Sequence, residues 1–293
     1  MTDRLLSAIA TKVRDGECIL FLGAAVHAGP PADSTFDYPE EVRPSLAGHV
    51  VDDLARECDF TTQFPSDAAN DLQRVALCAE LSPGLGRKWL VEYLTDKLMA
   101  RTRPSPVLEM LAEMPFRVVV TTNYDGLFES ALTRAGKRPQ KFVYEPTPNT
   151  PTRQVLKDPT AQQPVVFKMH GDLERPDSIV ITDEDYIQFV QRLAEKDKVN
   201  PIPGYIRERM QMWPMLFMGY SLRDYNLRLL FRTLRWDVDR AEDPGAYSVD
   251  RSPDPLILKV WQNERRLVTF LIQDLWAFVP QLHRTVVASG ATV

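Results

Sequence analysis

The sequence is short of cysteine, of clustered positive charge and of long apolar runs, and each shortage removes a class of protein from consideration. Only three cysteines, Cys18, Cys58 and Cys78, occur in 293 residues. They are odd in number, far apart and never arranged as Cys-x-x-Cys. That pattern argues against a zinc ribbon and a disulfide framework, and predicts reduced thiols in a cytoplasm with no metal site. The net charge is −5 with no run of Lys or Arg, so direct nucleic-acid binding, which needs clustered positive charge, is not expected. No apolar stretch approaches the roughly 18 residues of a membrane span. The opening MTDRLLSAIATKVRDG carries charges within an amphipathic pattern and lacks the apolar core and small-residue cleavage site of a signal peptide.

What is present is ordinary for a globular chain: 44% hydrophobic and 26% charged residues, enough for a sizeable core. The length suits one α/β domain with an insertion better than two full domains. Leu5 to Val13 has helical spacing and stops at Asp15-Gly16. Cys18 to Leu22 is a two-sided apolar run that breaks at Gly23, as a buried parallel strand does. His27 to Pro44 holds four prolines and a glycine and reads as an irregular cover. From Ser45 to about Arg103 the pattern is helical, predicting an inserted helical lobe at about 45–105. Pro106 to Met114 continues as helix, Phe116 to Thr121 as a β-branched strand, and Tyr124 to Ala135 as a helix closed by Gly136. Residues 139–164 contain six prolines and read as a surface excursion with a short strand at Lys141 to Tyr144. Further strands are predicted at Pro164 to Met169, Pro214 to Met218, Pro255 to Trp261 and Arg266 to Ile272. Helices are predicted at Asp183 to Lys196, Gly204 to Met212, Arg223 to Trp236, and through Trp276 to Leu282. Alternation of this kind implies a Rossmann-like parallel sheet with helices on both faces.

Polar residues collect after four of these strands: Gly23-Ala24-Ala25, Thr122-Asn123-Tyr124-Asp125, His170-Gly171-Asp172 and Gly219-Tyr220-Ser221. In open parallel sheets the ligand crevice lies outside the carboxyl ends of the strands. Gly23 lets backbone approach an anionic ligand, although an ordinary strand-to-loop turn looks the same and the motif is not G-x-G-x-x-G. Asn123 offers a donor and an acceptor for a water or a hydroxyl. Asp125 suits either a carboxamide or the cap of the following helix. His170 is one of four histidines, placed at a strand end beside Gly and Asp. It has a side chain suited to taking a proton near neutrality, though lone histidines often only satisfy a core. His27 is the second candidate base, while His49 and His283 lie in helical patterns. Ser221 and Arg223 fit a ribose or phosphate, or equally a helix cap and an exposed cation.

Taken in order, Phe21-Leu-Gly-Ala-Ala-Val26, Val120-Thr-Thr-Asn-Tyr-Asp125, Phe167-Lys-Met-His-Gly-Asp172, Ile181-Thr-Asp-Glu-Asp-Tyr186 and Phe217-Met-Gly-Tyr-Ser-Leu-Arg-Asp-Tyr-Asn-Leu-Arg228 resemble the sirtuin-like (Sir2-type) domains of bacterial defence proteins. The resemblance implies a Rossmann-type site for NAD as substrate, with Gly23, Ala24, Ala25 and Thr122 against the cofactor. It implies that Asn123 positions the ribose and attacking water, that Asp125 lies near the nicotinamide carboxamide and that His170 is the base. Gly219 and Ser221, with Arg223 beside them, would contact the ribose on the adenine side. The implied reaction is hydrolysis of NAD to nicotinamide and ADP-ribose during phage infection. Control is expected through homo-oligomerisation or a partner, such as a HerA-type DNA-translocating ATPase or a short Argonaute.

Two departures from the family pattern matter. Sirtuin deacylases carry a four-cysteine zinc module after the His-Gly pair, whereas Gly171 to Asp185 here contains no cysteine, which favours a hydrolase using water. In the first loop, Ala25 replaces a glycine and His27 a serine. A methyl at position 25 is expected to crowd the cofactor and to disfavour positive φ.

Overall fold

The computed structural model describes residues 2–65, 70–146, 157–193, 201–222, 229, 231, 243–263 and 268–288. Its centre is a seven-stranded, wholly parallel sheet. The strands are β1 (Ile19–Leu22), β2 (Val118–Thr121), β3 (Gln140–Val143), β4 (Val165–Lys168), β5 (Met215–Met218), β6 (Ala246–Val249) and β7 (Val268–Leu271). Their order across the sheet is β3-β4-β2-β1-β5-β6-β7. Every residue of β1, β2, β4 and β5 is buried. This is why these segments read as continuous apolar runs rather than alternating ones.

Alternate side chains of each strand feed two cores. Leu20, Leu22, Val119, Val166, Leu216 and Met218 pack with α1 (Thr2–Arg14), α6 (Pro106–Glu113), α7 (Leu127–Arg134) and α11 (Leu275–Ala288). Ile19, Phe21, Val118, Val120, Phe167 and Phe217 face the other way, onto α8 (Asp183–Leu193), α9 (Gly204–Met212) and α10 (Pro255–Asn263). Between β1 and α6 lie α2 (Ala47–Glu57), α3 (Phe60–Gln63), α4 (Leu72–Leu81) and α5 (Gly86–Met99), which share a third apolar cluster with Leu173, Ile179 and Ile181. None of the helices, among the described residues, is long and apolar enough to cross a membrane.

The expected strand from Pro255 to Trp261 is instead α10. Asp254 Oδ1 accepts hydrogen bonds from the Leu256 and Ile257 N–H groups, at 2.8 and 3.2 Å, so the segment starts as a capped helix with proline at its first position. Ile257 and Trp261, four apart, then share its buried face. The sixth strand is the preceding Ala246–Val249, whose alanine and serine break up the apolar run that marks the other inner strands. The α7 helix begins at Leu127 rather than Tyr124, because Asp125 and Gly126 form its entry turn. Most of the helix expected from Arg223 to Trp236, including Arg223, lies outside the described residues.

The register places Leu22, Thr121, Lys168 and Met218 in one row across the sheet. The chain runs from β1 towards β2 and β4 on one side, then returns to β5 on the other. The β1/β5 junction is therefore the switch point where a crevice opens. There Gly23 and Gly219 meet face to face: a Cβ on either would stand 2.6 Å from the other's carbonyl oxygen. Gly219 also has φ +76°. We predict that Gly219→Ala lowers stability by about 1–3 kcal/mol from backbone strain alone, with the carbonyl clash adding to it. Chemical denaturation would measure this, and an unchanged midpoint would contradict the close packing.

Candidate functional site

Beyond β1 the chain turns through a 3-10 helix, Ala24–His27. Ala25 N–H donates to the Gly219 carbonyl at 3.2 Å, and Val26 N–H to the Gly23 carbonyl at 3.2 Å. These two amides are therefore engaged within the protein. Among the described non-glycine residues, positive φ occurs at Asp59, Arg101 and Leu222. Ala25 is exposed and is not among them, in keeping with a side chain that disfavours positive φ.

This turn separates two cavities. One, of about 280 Å³, is lined by Ala25, Gly29, Gly219, Ser221, Arg251 and Trp276 among others. The other, of about 150 Å³, is lined by Ala24, His27, Thr122, Asn123, Asp125 and His170, and by Tyr124 and Tyr186. Residues predicted from four separate strand ends thus divide between two neighbouring hollows, while Gly23 lines neither and packs against Gly219 and Tyr220. Arg223 is outside the described residues. Among those described, no cluster of three His, Cys, Asp or Glu side chains is placed to hold a metal ion.

At the end of β2, Thr121 Oγ1 donates to the Leu22 carbonyl (2.9 Å) and accepts from Asn123 N–H (3.0 Å). These bonds fix the Asn123 backbone to the β1 edge. Thr122 Oγ1 lies 3.0 Å from the Tyr220 hydroxyl. Asp125 plays the capping part through one oxygen: Oδ1 accepts from Leu127 N–H at 2.9 Å. Its other oxygen is engaged as well, since Oδ2 lies 3.1 Å from His27 Nε2. The carboxylate is buried. Burial opposes its ionisation, but His27, Lys168 and the Leu127 amide outweigh burial and hold Asp125 well below the usual carboxylate range.

His170 is also buried, with its Nδ1 3.2 Å from the Tyr186 hydroxyl. Its ring stands edge-on to Tyr186 and Phe189, at centroid separations of 5.0 and 5.6 Å. Gly171 makes the turn after it possible. Its φ is +91°, and a Cβ would come within 2.2 Å of the Ser178 carbonyl. The loop folds back so that Val180 N–H donates to the His170 carbonyl at 2.9 Å. Asp185 then caps α8 by accepting from the Ile181 and Thr182 amides at 3.0 Å each, while Thr182 Oγ1 accepts from Asp185 N–H. This reciprocal cap sets where Tyr186 emerges. Arg87 of α5 pairs with Asp185 at 2.8 Å, tying the helical insertion to the same segment.

Sequence reasoning passed over Lys168. It sits fully buried in an otherwise apolar strand, with its ammonium on the Asp125 carbonyl and ion pairs to Glu129 (3.7 Å) and Asp172 (3.6 Å). Asp172 also pairs with Lys141 at 3.2 Å. Burial raises the Glu129 carboxyl above its ordinary value, against the pull of Lys168. A lysine in a VVFK run was the available signal, because a buried cation requires acidic company.

Because Asp125 is depressed in the folded state, it adds stability above its ordinary value of 3.8, and that contribution falls away as pH drops below it. The expected result is that the stability gap between wild type and Asp125→Asn is larger at about pH 6 than at about pH 3. Denaturant unfolding at the two pH values measures this, and a constant gap would contradict the ionised assignment.

With this geometry in hand, the comparisons with known proteins fall into place. The SIR2-like domain family matches residues 117–270. The chain is 31% identical over 191 residues to the NAD(+) hydrolase ThsA of Acinetobacter baumannii (strain 532279), covering 64% of this chain and 36% of that protein. It is 25% identical over 241 residues to NAD(+) hydrolase ThsA of Enterococcus faecium, covering 82% and 44%. It is 22% identical over 253 residues to defense-associated sirtuin 2 of Bacillus subtilis, covering 85% and 22%. The chain therefore spans less than half the length of these relatives. A solved structure from work on the structural basis for the mechanism and regulation of Sir2 enzymes is similar over 98% of each chain, with 14% identity and a TM-score of 0.48. The match of the family over residues 117–270 takes in β2 through β7 and includes Asn123, Asp125, His170 and Gly219; the chain belongs to the SIR2-like family.

Proposed function

We propose that this chain hydrolyses NAD to nicotinamide and ADP-ribose in antiphage defence, within a single domain that carries a helical insertion at about 45–105. The observation that carries the reading is the meeting of Asn123 and His170, from different strand ends, in the wall of one cavity. A second cavity lies across the Ala24–Ala25 turn, which suits a bipartite dinucleotide. The relatives named NAD(+) hydrolase support the same chemistry.

In this reading the nicotinamide riboside occupies the smaller cavity, and the adenosine end lies beside Gly219 and Ser221. The Asn123 amide orients the ribose and a water. His170, held by Tyr186 through Nδ1, accepts the water's proton. The water oxygen bonds to C1′ as the bond from C1′ to the nicotinamide nitrogen breaks, and that electron pair leaves with neutral nicotinamide. The transition state has oxocarbenium character, so orientation of the sugar and activation of the nucleophile are the main demands. Asp125 supports this arrangement through His27 and the start of α7. A deacylase reading is disfavoured by the cysteine-free stretch from Gly171 to Asp185.

Control by self-assembly or a partner subunit belongs to the same proposal. The candidate partners are those expected from the family resemblance, and the site of action is the cytoplasm. Exposed Leu256 on α10 and Ile272 just past β7 supply apolar surface near that edge of the sheet.

The test is to incubate the purified protein with NAD, with and without its genomic neighbour, and to measure nicotinamide and free ADP-ribose. Asn123→Ala and His170→Ala are each expected to lower turnover at least about 100-fold. No cleavage in any condition would overturn the hydrolase reading, and activity surviving in both variants would overturn the site. Gel filtration checks control: a fully active isolated monomer would contradict it.

A further inference from the structure

The proposed reaction uses His27 only as a partner of Asp125, yet its ring lies between Asp125 and Asn123. It is 3% exposed. Its Nε2 lies 3.1 Å from Asp125 Oδ2 and 3.3 Å from the Asn123 side-chain amide nitrogen. Ionised Asp125 can accept hydrogen bonds but cannot donate them, so the proton on Nε2 is directed at the carboxylate. Two N–H groups cannot bond to one another. The Asn123 amide therefore joins this cluster through its oxygen, by an end-for-end turn that leaves its NH2 free to bond elsewhere.

The other ring nitrogen behaves differently. Among the described residues, buried His27 Nδ1 has no hydrogen-bond partner, and His27 lines the same cavity as Asn123 and His170. A histidine kept only for packing has no use for an orphaned nitrogen, because leaving a buried polar atom unsatisfied is costly. An unsatisfied nitrogen of this kind, on a residue that lines the hollow, is accounted for by a donor that arrives with the ligand.

We propose that His27 is a positioning residue. Its Nε2–H clamps Asp125 and fixes which way the Asn123 amide faces, while Nδ1 accepts a hydrogen bond from a ribose hydroxyl of the bound substrate. The inference rests on the hydrolase reading for its substrate, but the clamp itself exists in the free protein.

Two variants separate positioning from packing. Glutamine carries an N–H donor close to the position of Nε2 but nothing in place of Nδ1, whereas alanine keeps neither. His27→Ala is expected to lose at least about 100-fold in kcat. His27→Gln is expected to hold kcat within about tenfold of wild type while raising KM for NAD. A kcat for His27→Ala within about threefold of wild type would overturn the proposal, as would equal losses in the two variants at equal folded fraction. A second readout needs no turnover: long-range proton–nitrogen NMR of the free protein, with His27 identified through its variants. Protonation at Nε2 is expected there, along with an Asn123 NH2 signal that moves in His27→Ala and returns in His27→Gln. A bare Nε2 overturns the clamp. If the wild type cleaves no NAD at all, the hydrolase reading fails, and the spectrum still decides the clamp.

Discussion

A carboxylate buried at the end of a parallel strand has to be met by donors from several directions, and the site is organised around meeting that demand at Asp125. One oxygen takes the first free amide of α7, and the other takes His27 from the β1 turn. Its own carbonyl takes the ammonium of Lys168 from β4. Lys168 in turn holds Glu129 and Asp172 within ion-pair distance. Three strand ends and one helix start are thereby fixed to each other by charge rather than by apolar packing. Buried charge of this kind contributes little net stability, but losing one partner leaves another uncompensated. Such mutual dependence holds the groups in one arrangement, which is what the proposed orientation of a sugar requires.

The sheet supplies the remaining constraint. Equal register across β1, β2, β4 and β5 brings four loops to one level. The contact between Gly23 and Gly219 closes the β1/β5 junction so tightly that neither position admits a Cβ without a shift. Departures of the turn from β1 divide the space above that junction into two hollows. The catalytic candidates face one, and Gly219, Ser221 and Arg251 face the other.

Much of this was legible in the residues. Fully buried parallel strands announce themselves as continuous apolar runs, and the breaks at Gly23 and Gly219 marked where backbone must pass closely. Helical spacing was legible between β1 and α6, where α2 to α5 lie. Where reading failed, the reason was a local signal outweighed by a neighbour. The apolar run Pro255 to Trp261 looks like a strand until Asp254 caps it, and Ala246–Val249, with an alanine and a serine among its four residues, does not stand out. The pairing of His27 with Asp125 joins residues 98 apart, and no periodicity reports a contact of that span. Lys168 was hidden in plain view, since its partners are assembled only by the fold.

In the proposed reading, the hollow between Asn123 and His170 receives the nicotinamide riboside of NAD. A crystal structure of the His170→Ala protein soaked with NAD would decide this. The nicotinamide ribose is expected beside Asn123, and the adenosine across the Ala24–Ala25 turn near Ser221. NAD bound in the reverse orientation, or bound away from both hollows, would contradict it.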